Sequence, residues 1–420
     1  MKKPRLWPLG LAAMALAATP FVARAQSASP GSSVAGWGEF TESLRTLPDR
    51  MLAKLPEAQR KDPQVQQEVA RLALEAIATS TLEAIGGDGD APVFLPSIGQ
   101  VLNVGQPNAD TIYRAATITP GGSYRMRGKR GSLRLSVLAQ VAPPTNPNDG
   151  PRAHLNLADL KADAEGRYDL LLSAERPEGY TGDWWKLDPK ATRLMLRMVS
   201  ADWGKEEEPT FSLERIDKPM ARPRPPAAVL EQRLRTLPGA IDFIGPLFVD
   251  HVEQLRQEGY VNKLKSFQAP YGALAGQFYY EGAYDLADDE ALIIESNVPA
   301  KCGYRSLILT NEIYETTDWH NNHSALNDTQ APVDKDGQLR FVVSARDPGV
   351  LNWMDTAGHP QGAIQGRWTG CDSQPIPVVT KVKFADVAKL LPKDTPRVTV
   401  EQRQEILRER RRALMERPYW

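Results

Sequence analysis

Hydrophobic positions in the first part of the chain follow a helical period. Val65, Val69, Leu72 and Ala76 recur at steps of three and four residues, which places them on one face of a helix. Two glycines at 86–87 end this pattern, as expected at the carboxyl end of a helix. The sequence therefore predicts an N-terminal helical segment over residues 37–90.

Beyond residue 91 the period changes to two. Residues 133–137 read Leu-Arg-Leu-Ser-Val, and similar short alternating runs separated by glycine-rich turns continue to about residue 216. Alternation of apolar and polar side chains is typical of a strand with one face buried. The pattern predicts a first β-rich domain over residues 91–217.

A proline cluster then divides the chain. Residues 218–226 hold four prolines, and a helical pair is predicted after them, over 227–236 and 240–257, with its break at Pro238-Gly239. This junction covers residues 218–262. Strand patterning returns over 263–390, and a final helix lies within 391–420, with Thr399 and Gln402 as a capping box.

No repeat of fixed period is apparent in the sequence. The short strands and the helices around them predict an α+β fold class that is mostly β with helical additions. We expect two β-sandwich or jelly-roll-like domains.

The first 25 residues have the pattern of a secretory signal peptide. A basic start is followed by an apolar stretch and by an A-x-A site that ends at Ala25. We expect cleavage after Ala25, a flexible leader over residues 26–36, and a periplasmic or secreted protein. No later stretch is long and apolar enough to predict a membrane span.

Composition narrows the classes of partner. The 420 residues are 25% charged and 41% hydrophobic, as in a folded globular protein. The formal net charge is −1, but the leader peptide holds four basic residues and no acid, so its removal leaves 47 bases against 52 acids, a net −5. This balance argues against a nucleic-acid partner, whereas a homo-oligomer is compatible with the sequence.

The two cysteines, Cys302 and Cys371, are candidates for a disulfide, because export would bring them into an oxidising compartment. The alternative is that each is a small buried hydrophobic side chain in neighbouring strands. Sequence alone does not decide between them, since the geometry of the two Cα–Cβ bonds sets whether a bridge forms.

Standard catalytic and cofactor motifs are missing from the sequence. It has no G-x-S-x-G elbow, no glycine-rich phosphate loop, no H-E-x-x-H and no cysteine pair at zinc spacing. We therefore expect no cofactor and assign no metal ligands. A metal at His320 and His323 is the weaker alternative, because their spacing favours neither a helix nor a strand.

Two polar segments stand out from plain scaffold: 108–114, and 318–368 with its many Trp, Asn, Asp and His residues. Ordinary turn capping and the anchoring of long loops account for both segments and are the favoured explanation. A pocket with aromatic walls also needs these residue types. In that interpretation the candidate ligand-binding residues are Asn108, Asp110, Tyr113, Trp319, Asn322, Trp353 and Arg367, and the candidate general base is His359 with Asp355.

The second segment carries a resemblance to a known family. The runs that carry it are 310–314 (TNEIY), 318–327 (DWHNNHSALN), 342–349 (VVSARDPG), 352–359 (NWMDTAGH) and 367–368 (RW). Together they resemble the bacterial domain of unknown function 1214 over roughly residues 270–380. Residues 108–114, 123–128 and 183–189 look like the amino-terminal part of longer members, which loosely resembles the domain of unknown function 1254. Two positions depart from the expected pattern, Leu351 where proline is usual and Arg305 where an aromatic residue is usual.

The resemblance implies a mostly β sandwich with helical additions, and it implies no particular reaction. We expect an exported protein that binds a small organic or sugar-like ligand in a polar-aromatic pocket, with hydrolysis as one interpretation. The alternative is a non-catalytic module that binds envelope carbohydrate or serves in assembly. Whether the protein is an enzyme is left open by the sequence.

Overall fold

The computed structural model describes residues 32–142, 154–267 and 276–419. Within these ranges eighteen strands form four sheets, and the sheets pack in pairs around two hydrophobic cores. The predicted fold class is therefore confirmed: the protein is mostly β, with helical additions and two sandwich domains. The predicted signal peptide and the first part of the predicted leader lie outside the described residues.

The first sandwich follows the N-terminal helices. One sheet has the strand order β1-β2-β8-β4-β5 and the other β7-β6-β3-β9. Side chains such as Leu170 and Leu196 alternate inward and fill the core between the two sheets. Its strands are β1 (Leu95–Pro96), β2 (Thr111–Thr117), β3 (Tyr124–Lys129), β4 (Leu135–Val141), β5 (His154–Asn156), β6 (Arg167–Ser173), β7 (Asp183–Lys186), β8 (Arg193–Val199) and β9 (Thr210–Arg215).

The second sandwich has its own core, in which Leu292, Leu307 and Trp368 are among the buried side chains. Its sheets have the orders β10-β11-β17-β13-β14 and β16-β15-β12-β18. Its strands are β10 (Lys265–Phe267), β11 (Gln277–Asp285), β12 (Glu290–Asn297), β13 (Cys302–Leu309), β14 (Ala325–Asn327), β15 (Gln338–Ser344), β16 (Trp353–Asp355), β17 (Gln361–Cys371) and β18 (Val378–Lys383).

The two sandwiches share one topology, which the sequence did not predict. Adding nine to each strand number of the first sandwich gives both sheet orders of the second. In each, one parallel pair stands among antiparallel ones: β6 with β7, and β15 with β16. A local detail also recurs, because the indole of Trp184 donates to Ser173 and that of Trp353 donates to Ser344.

The helices form a layer against the sandwiches and cap them. They are α1 (Trp37–Arg45), α2 (Leu47–Leu52), α3 (Glu57–Lys61), α4 (Pro63–Gly86), α5 (Ala227–Ile244), α6 (His251–Gln257), α7 (Val387–Leu390) and α8 (Val400–Met415). Helices α2, α4 and α5 share one apolar cluster. The capping box predicted at Thr399 and Gln402 is present at the start of α8 and is confirmed.

One predicted helix boundary is wrong. The sequence predicted a break at Pro238-Gly239, but α5 continues through Pro238 to Ile244. Proline costs a helix interior about 3 kcal/mol, because it removes one hydrogen bond and crowds the preceding turn. Leu237 and Ile241 are both buried in the cluster that contains Ala76 of α4, and this packing on either side of the proline keeps the helix continuous.

The predicted disulfide is confirmed. Cys302 on β13 and Cys371 on β17 are direct cross-strand partners, and they are bonded across a sequence separation of 69 residues. No helix in the described ranges is both long enough and apolar enough to cross a membrane.

Candidate functional site

A cavity of about 780 Å³ lies between the two sandwiches. Strands β2, β4 and β8 of the first sandwich form one wall, and β10, β11 and β17 of the second form another. Helices α4 and α5 complete the lining with apolar side chains such as Leu237, Phe243 and Ile244. A volume of this size is in the ordinary range for a site that encloses a small organic molecule.

The duplicated topology places matching side chains in this cavity. On β2 and β8, Tyr113 lies directly opposite Arg197, and on β11 and β17, Tyr279 lies directly opposite Arg367. Directly opposed residues of neighbouring strands project from the same face of a sheet. All four side chains line the cavity, so each sandwich contributes one tyrosine and one arginine from equivalent strands.

Arg367 is a buried cation in the wall of the cavity. It is 5% exposed, its Nη2 donates to Oε1 of Gln365 at 2.8 Å, and its guanidinium carbon lies 5.5 Å from the centre of the Tyr279 ring. Among the described residues no carboxylate comes within 4.0 Å of it, and its buried Nη1 has no hydrogen-bond partner. By contrast, buried Arg403 and Arg417 each have a carboxylate oxygen within 2.8 Å.

Burial also shapes the neighbours of Arg367. Burial lowers the pKa of Arg197, which is 8% exposed, because removal from water disfavours the charged guanidinium. Burial raises the pKa of the Tyr279 phenol, while Arg367 and Arg197 oppose this rise. The phenol is therefore neutral at neutral pH, and it donates its hydrogen bond to Oε1 of Gln277 at 2.5 Å.

Two further arginines of the cavity, Arg193 and Arg233, have acidic partners. Arg193 lies 3.4 Å from a carboxylate oxygen of Glu83, and Arg233 lies 3.9 Å from one of Asp88. These acids also line the cavity, so positive charge is balanced there within the protein. Arg367 differs from both, because no carboxylate lies within 4.0 Å of it among the described residues.

A chain of buried polar groups continues from Arg367 to helix α6. Gln365 donates from its amide nitrogen to the Tyr314 hydroxyl at 2.8 Å, and this hydroxyl donates to Glu281 at 3.3 Å. Nε2 of His251 lies 3.0 Å from the same carboxylate. The chain fixes the orientation of Gln365, which in turn fixes the Arg367 guanidinium.

Three of the predicted ligand-binding residues reach the cavity: Asn108, Tyr113 and Arg367. Asp110 does not. It is 2% exposed and accepts hydrogen bonds from Trp203 at 2.7 Å, from Asn327 at 2.7 Å and from the Tyr304 hydroxyl. Burial raises the pKa of Asp110, and these three donors oppose the rise. Its contacts join the first sandwich to the second, which is a structural role.

The predicted aromatic walls are core residues instead. Trp319 is 1% exposed and Trp353 is 6% exposed, and the Trp353 indole donates to the Ser344 carbonyl at 3.1 Å. Asn322 closes a turn by donating from its side chain to the Asp318 carbonyl at 2.9 Å. The assignment of these three residues to a ligand pocket is corrected, because buried indoles cannot stack on a ligand and Asn322 does not line the cavity.

The predicted pair of His359 and Asp355 is not formed. Asp355 accepts from the Ala357 backbone N–H at 2.8 Å, and no hydrogen bond or ion pair in the described chain joins it to His359. Nδ1 of His359 instead lies 3.3 Å from Oε2 of Glu312. A left-handed turn through Ala357 and Gly358, both with positive φ, directs the imidazole toward Glu312.

His320 and His323, the weaker candidates for metal ligands, lie in surroundings that do not favour a metal ion. Burial lowers the pKa of His320 to about 4 and that of His323 well below its usual value. His323 is 2% exposed and lies against the Trp353 carbonyl and the Arg403 guanidinium. A cation at hydrogen-bond distance from the ring opposes metal binding there.

Comparison with solved structures finds one that shares the fold over most of this chain. No family model matches the chain, and no curated protein matches it. A solved structure of an uncharacterised protein from Burkholderia cenocepacia is similar, with a TM-score of 0.75 and 26% identity over 84% of this chain and 98% of that chain. A protein from Vibrio parahaemolyticus gives a TM-score of 0.44 with 12% identity over 75% of this chain and 99% of that chain.

Sequence reasoning missed three residues that line the cavity, Arg197, Tyr279 and Gln365, and it missed Glu281, which lies behind them in the chain of buried polar groups. They lie in ordinary-looking strand runs, and nothing in their local spacing separates them from scaffold. One signal was available: Arg197 lies in a strand run that is otherwise largely apolar, at a position where the pattern predicts a buried side chain. Tyr314 does lie in one of the runs that carry the family resemblance, but no role was assigned to it.

Proposed function

We propose that the protein binds a small organic acid with an apolar body in the cavity between its sandwiches. The carboxylate lies beside Arg367, with the phenol of Tyr113 as a neighbouring donor, and the apolar body lies against α5. The observation that carries this proposal is the buried guanidinium of Arg367, which has no carboxylate within 4.0 Å among the described residues. Burying a charge is costly unless an opposite charge accompanies it, and a ligand carboxylate supplies that charge.

Carboxylate recognition suits this wall better than recognition of a neutral sugar. Arginine presents planar paired donors that match the two oxygens of a carboxylate. A sugar would need several side chains that both donate and accept, together with an accessible aromatic face. The two tryptophans predicted for that task, Trp319 and Trp353, are buried in the core.

A melting screen tests the proposal. Medium-chain and aromatic monocarboxylic acids are each compared with their primary amides, which keep the shape and lose the charge. Binding to the native state alone raises the melting temperature, so an acid that binds should raise it and its amide should not. Equal shifts from acids and amides, or no shift from any acid, would contradict carboxylate recognition.

Substitution of Arg367 sharpens the test. Arg367→Gln should weaken binding of the best acid roughly ten- to hundredfold, the equivalent of about 1.5–3 kcal/mol for one hydrogen bond to a charged group. The amide should bind the variant at least as well as it binds the parent protein. Arg125→Gln is the matched control, because Arg125 pairs with Asp169 on the sheet that does not line the cavity. If the Arg367→Gln variant bound the acid as tightly as the parent protein does, Arg367 would not be the carboxylate-binding residue.

We also propose that the protein works outside the cytoplasm, in the periplasm or as a secreted protein. The Cys302–Cys371 bridge supports this location, because disulfides persist in oxidising compartments. Cleavage of the predicted signal peptide after Ala25 should leave Gln26 as the first residue. N-terminal sequencing of the protein from separated cell fractions tests this cleavage. A protein that begins at Met1 and is found in the cytosolic fraction would contradict export.

A further inference from the structure

A second group of polar side chains lies where helix α4 meets the second sandwich. Glu68 belongs to α4, Glu312 lies in the loop after β13, and His359 lies in the loop before β17. One potential ligand atom from each of the three lies within 4.8 Å of the other two. None of the three lines the cavity between the sandwiches.

The spacing of two of these atoms fits metal coordination. Nδ1 of His359 and Oε2 of Glu312 are 3.3 Å apart. Two ligands bound at about 2.0–2.1 Å in a tetrahedral arrangement are separated by about 3.3–3.4 Å. A single hydrogen bond between imidazole and carboxylate gives a similar distance, so this pair alone does not separate the two cases.

Glu68 provides the independent observation. It is 6% exposed, and its Oε1 accepts from the amide of Gln64 at 2.9 Å, whereas its buried Oε2 has no hydrogen-bond partner. A buried carboxylate oxygen without a donor is costly, and few such groups occur in native proteins. The third member of the group therefore lacks the partner that a bound cation would supply.

Nearby charges do not neutralise the group. Arg71 is the neighbouring cation on α4, and its Nη2 lies 2.6 Å from Glu315 while its Nε lies 3.8 Å from Glu75. No salt bridge within 4.0 Å joins Arg71 to Glu68 or Glu312 among the described residues. Negative charge therefore exceeds positive charge around His359.

We propose that Glu68, Glu312 and His359 bind a divalent transition-metal ion of the zinc class. Imidazole nitrogen favours zinc, iron or nickel over magnesium and calcium, which prefer oxygen ligands alone. Three protein ligands leave a coordination position for water, as in catalytic zinc sites. The ion links the N-terminal helical layer to two loops of the second sandwich.

Metal analysis of the full chain, without an affinity tag, tests the proposal. After removal of metal with a chelator, added Zn²⁺ should bind at one ion per chain and raise the melting temperature. Glu312→Gln and His359→Gln should each weaken zinc binding by at least about tenfold, since even changes behind a metal's direct ligands cost this much. His154→Gln and Glu214→Gln, in the first sandwich, are the matched controls and should bind as the parent does.

A measurement on the parent protein covers the case in which a variant does not fold. The His359 side chain is 22% exposed, so it should react with a histidine-selective acylating reagent, and bound Zn²⁺ should protect it. His154, which is partly exposed, should react equally with and without zinc. Substoichiometric zinc, equal protection of both histidines, or full zinc affinity in both ligand variants would each overturn the proposal.

Discussion

The two sandwiches follow one strand plan but are held together differently. In the second, Cys302 and Cys371 bond the ends of β13 and β17. In the first sandwich the position equivalent to Cys371 is Ala201, since each lies four residues after the matching arginine, Arg197 or Arg367. The Ala201 carbonyl accepts hydrogen bonds from Asn327 and Thr329 of the second sandwich. At this position the second sandwich is stabilised by a disulfide of its own, whereas the first is stabilised by hydrogen bonds from the second. A shared topology therefore does not require a shared source of stability.

The repeated tryptophans should show the largest difference between the halves. Trp353 is 6% exposed and lies 5.3 Å from the Arg403 guanidinium of α8, whereas Trp184 is only half-buried. Trp353→Ala should lower the free energy of unfolding by about 3–5 kcal/mol, and Trp184→Ala by about half as much, because less apolar surface is lost.

Urea unfolding followed by circular dichroism measures both variants. Trp353→Phe and Trp184→Phe are the paired controls, since each keeps an aromatic ring and removes the indole donor to serine. If Trp184→Ala lowers the free energy of unfolding as much as Trp353→Ala does, or more, then the second sandwich does not depend more strongly on this tryptophan than the first.

Removing the disulfide should give the next largest effect. The double change Cys302→Ser with Cys371→Ser should lower the free energy of unfolding by about 2–4 kcal/mol. Amides of β13 and β17 should lose protection from hydrogen exchange, whereas those of β4 and β8 should not, because the first sandwich has no bond at this place.

A reductant provides the control for the disulfide. It should lower the stability of the parent protein to that of the double variant and leave the variant unchanged. Equal loss of exchange protection in both sandwiches would mean that they unfold as one unit. The proposal that the disulfide stabilises only the second sandwich would then be wrong.

Much of the fold was predictable because it follows local periodicity. The spacing of Val65, Val69 and Leu72 indicated α4, and these side chains are buried in the helical cluster. The alternating runs indicated strands. The end of α5 was mispredicted because Pro238 is a strong local signal, whereas the packing that overrides it comes from α4, far away in the sequence.

The duplication could not be predicted from a fixed period, because the lengths of equivalent loops differ. Ser173 and its bonded Trp184 are 11 residues apart, whereas Ser344 and Trp353 are 9 apart. A sandwich core requires only that buried positions be apolar and of suitable size, so equivalent strands need not share residue identities. Strand order reveals what residue identity does not.

The candidate site was predictable only in part. Arg367 and Tyr113 stood out as polar residues near strands, and both line the cavity. His359 was paired with Asp355 because they are close in sequence, but its contact is with Glu312, 47 residues away. Contacts between distant segments depend on how loops fold back, which hydrophobic periodicity does not encode.

The two Tyr–Arg pairs have a consequence for what the cavity can recognise. If two identical subunits formed it, every substitution on one wall would appear on the other, and the site would favour ligands with matching ends. Here both walls belong to one chain, so each pair can change alone. The cavity is free to distinguish the head of a molecule from its tail.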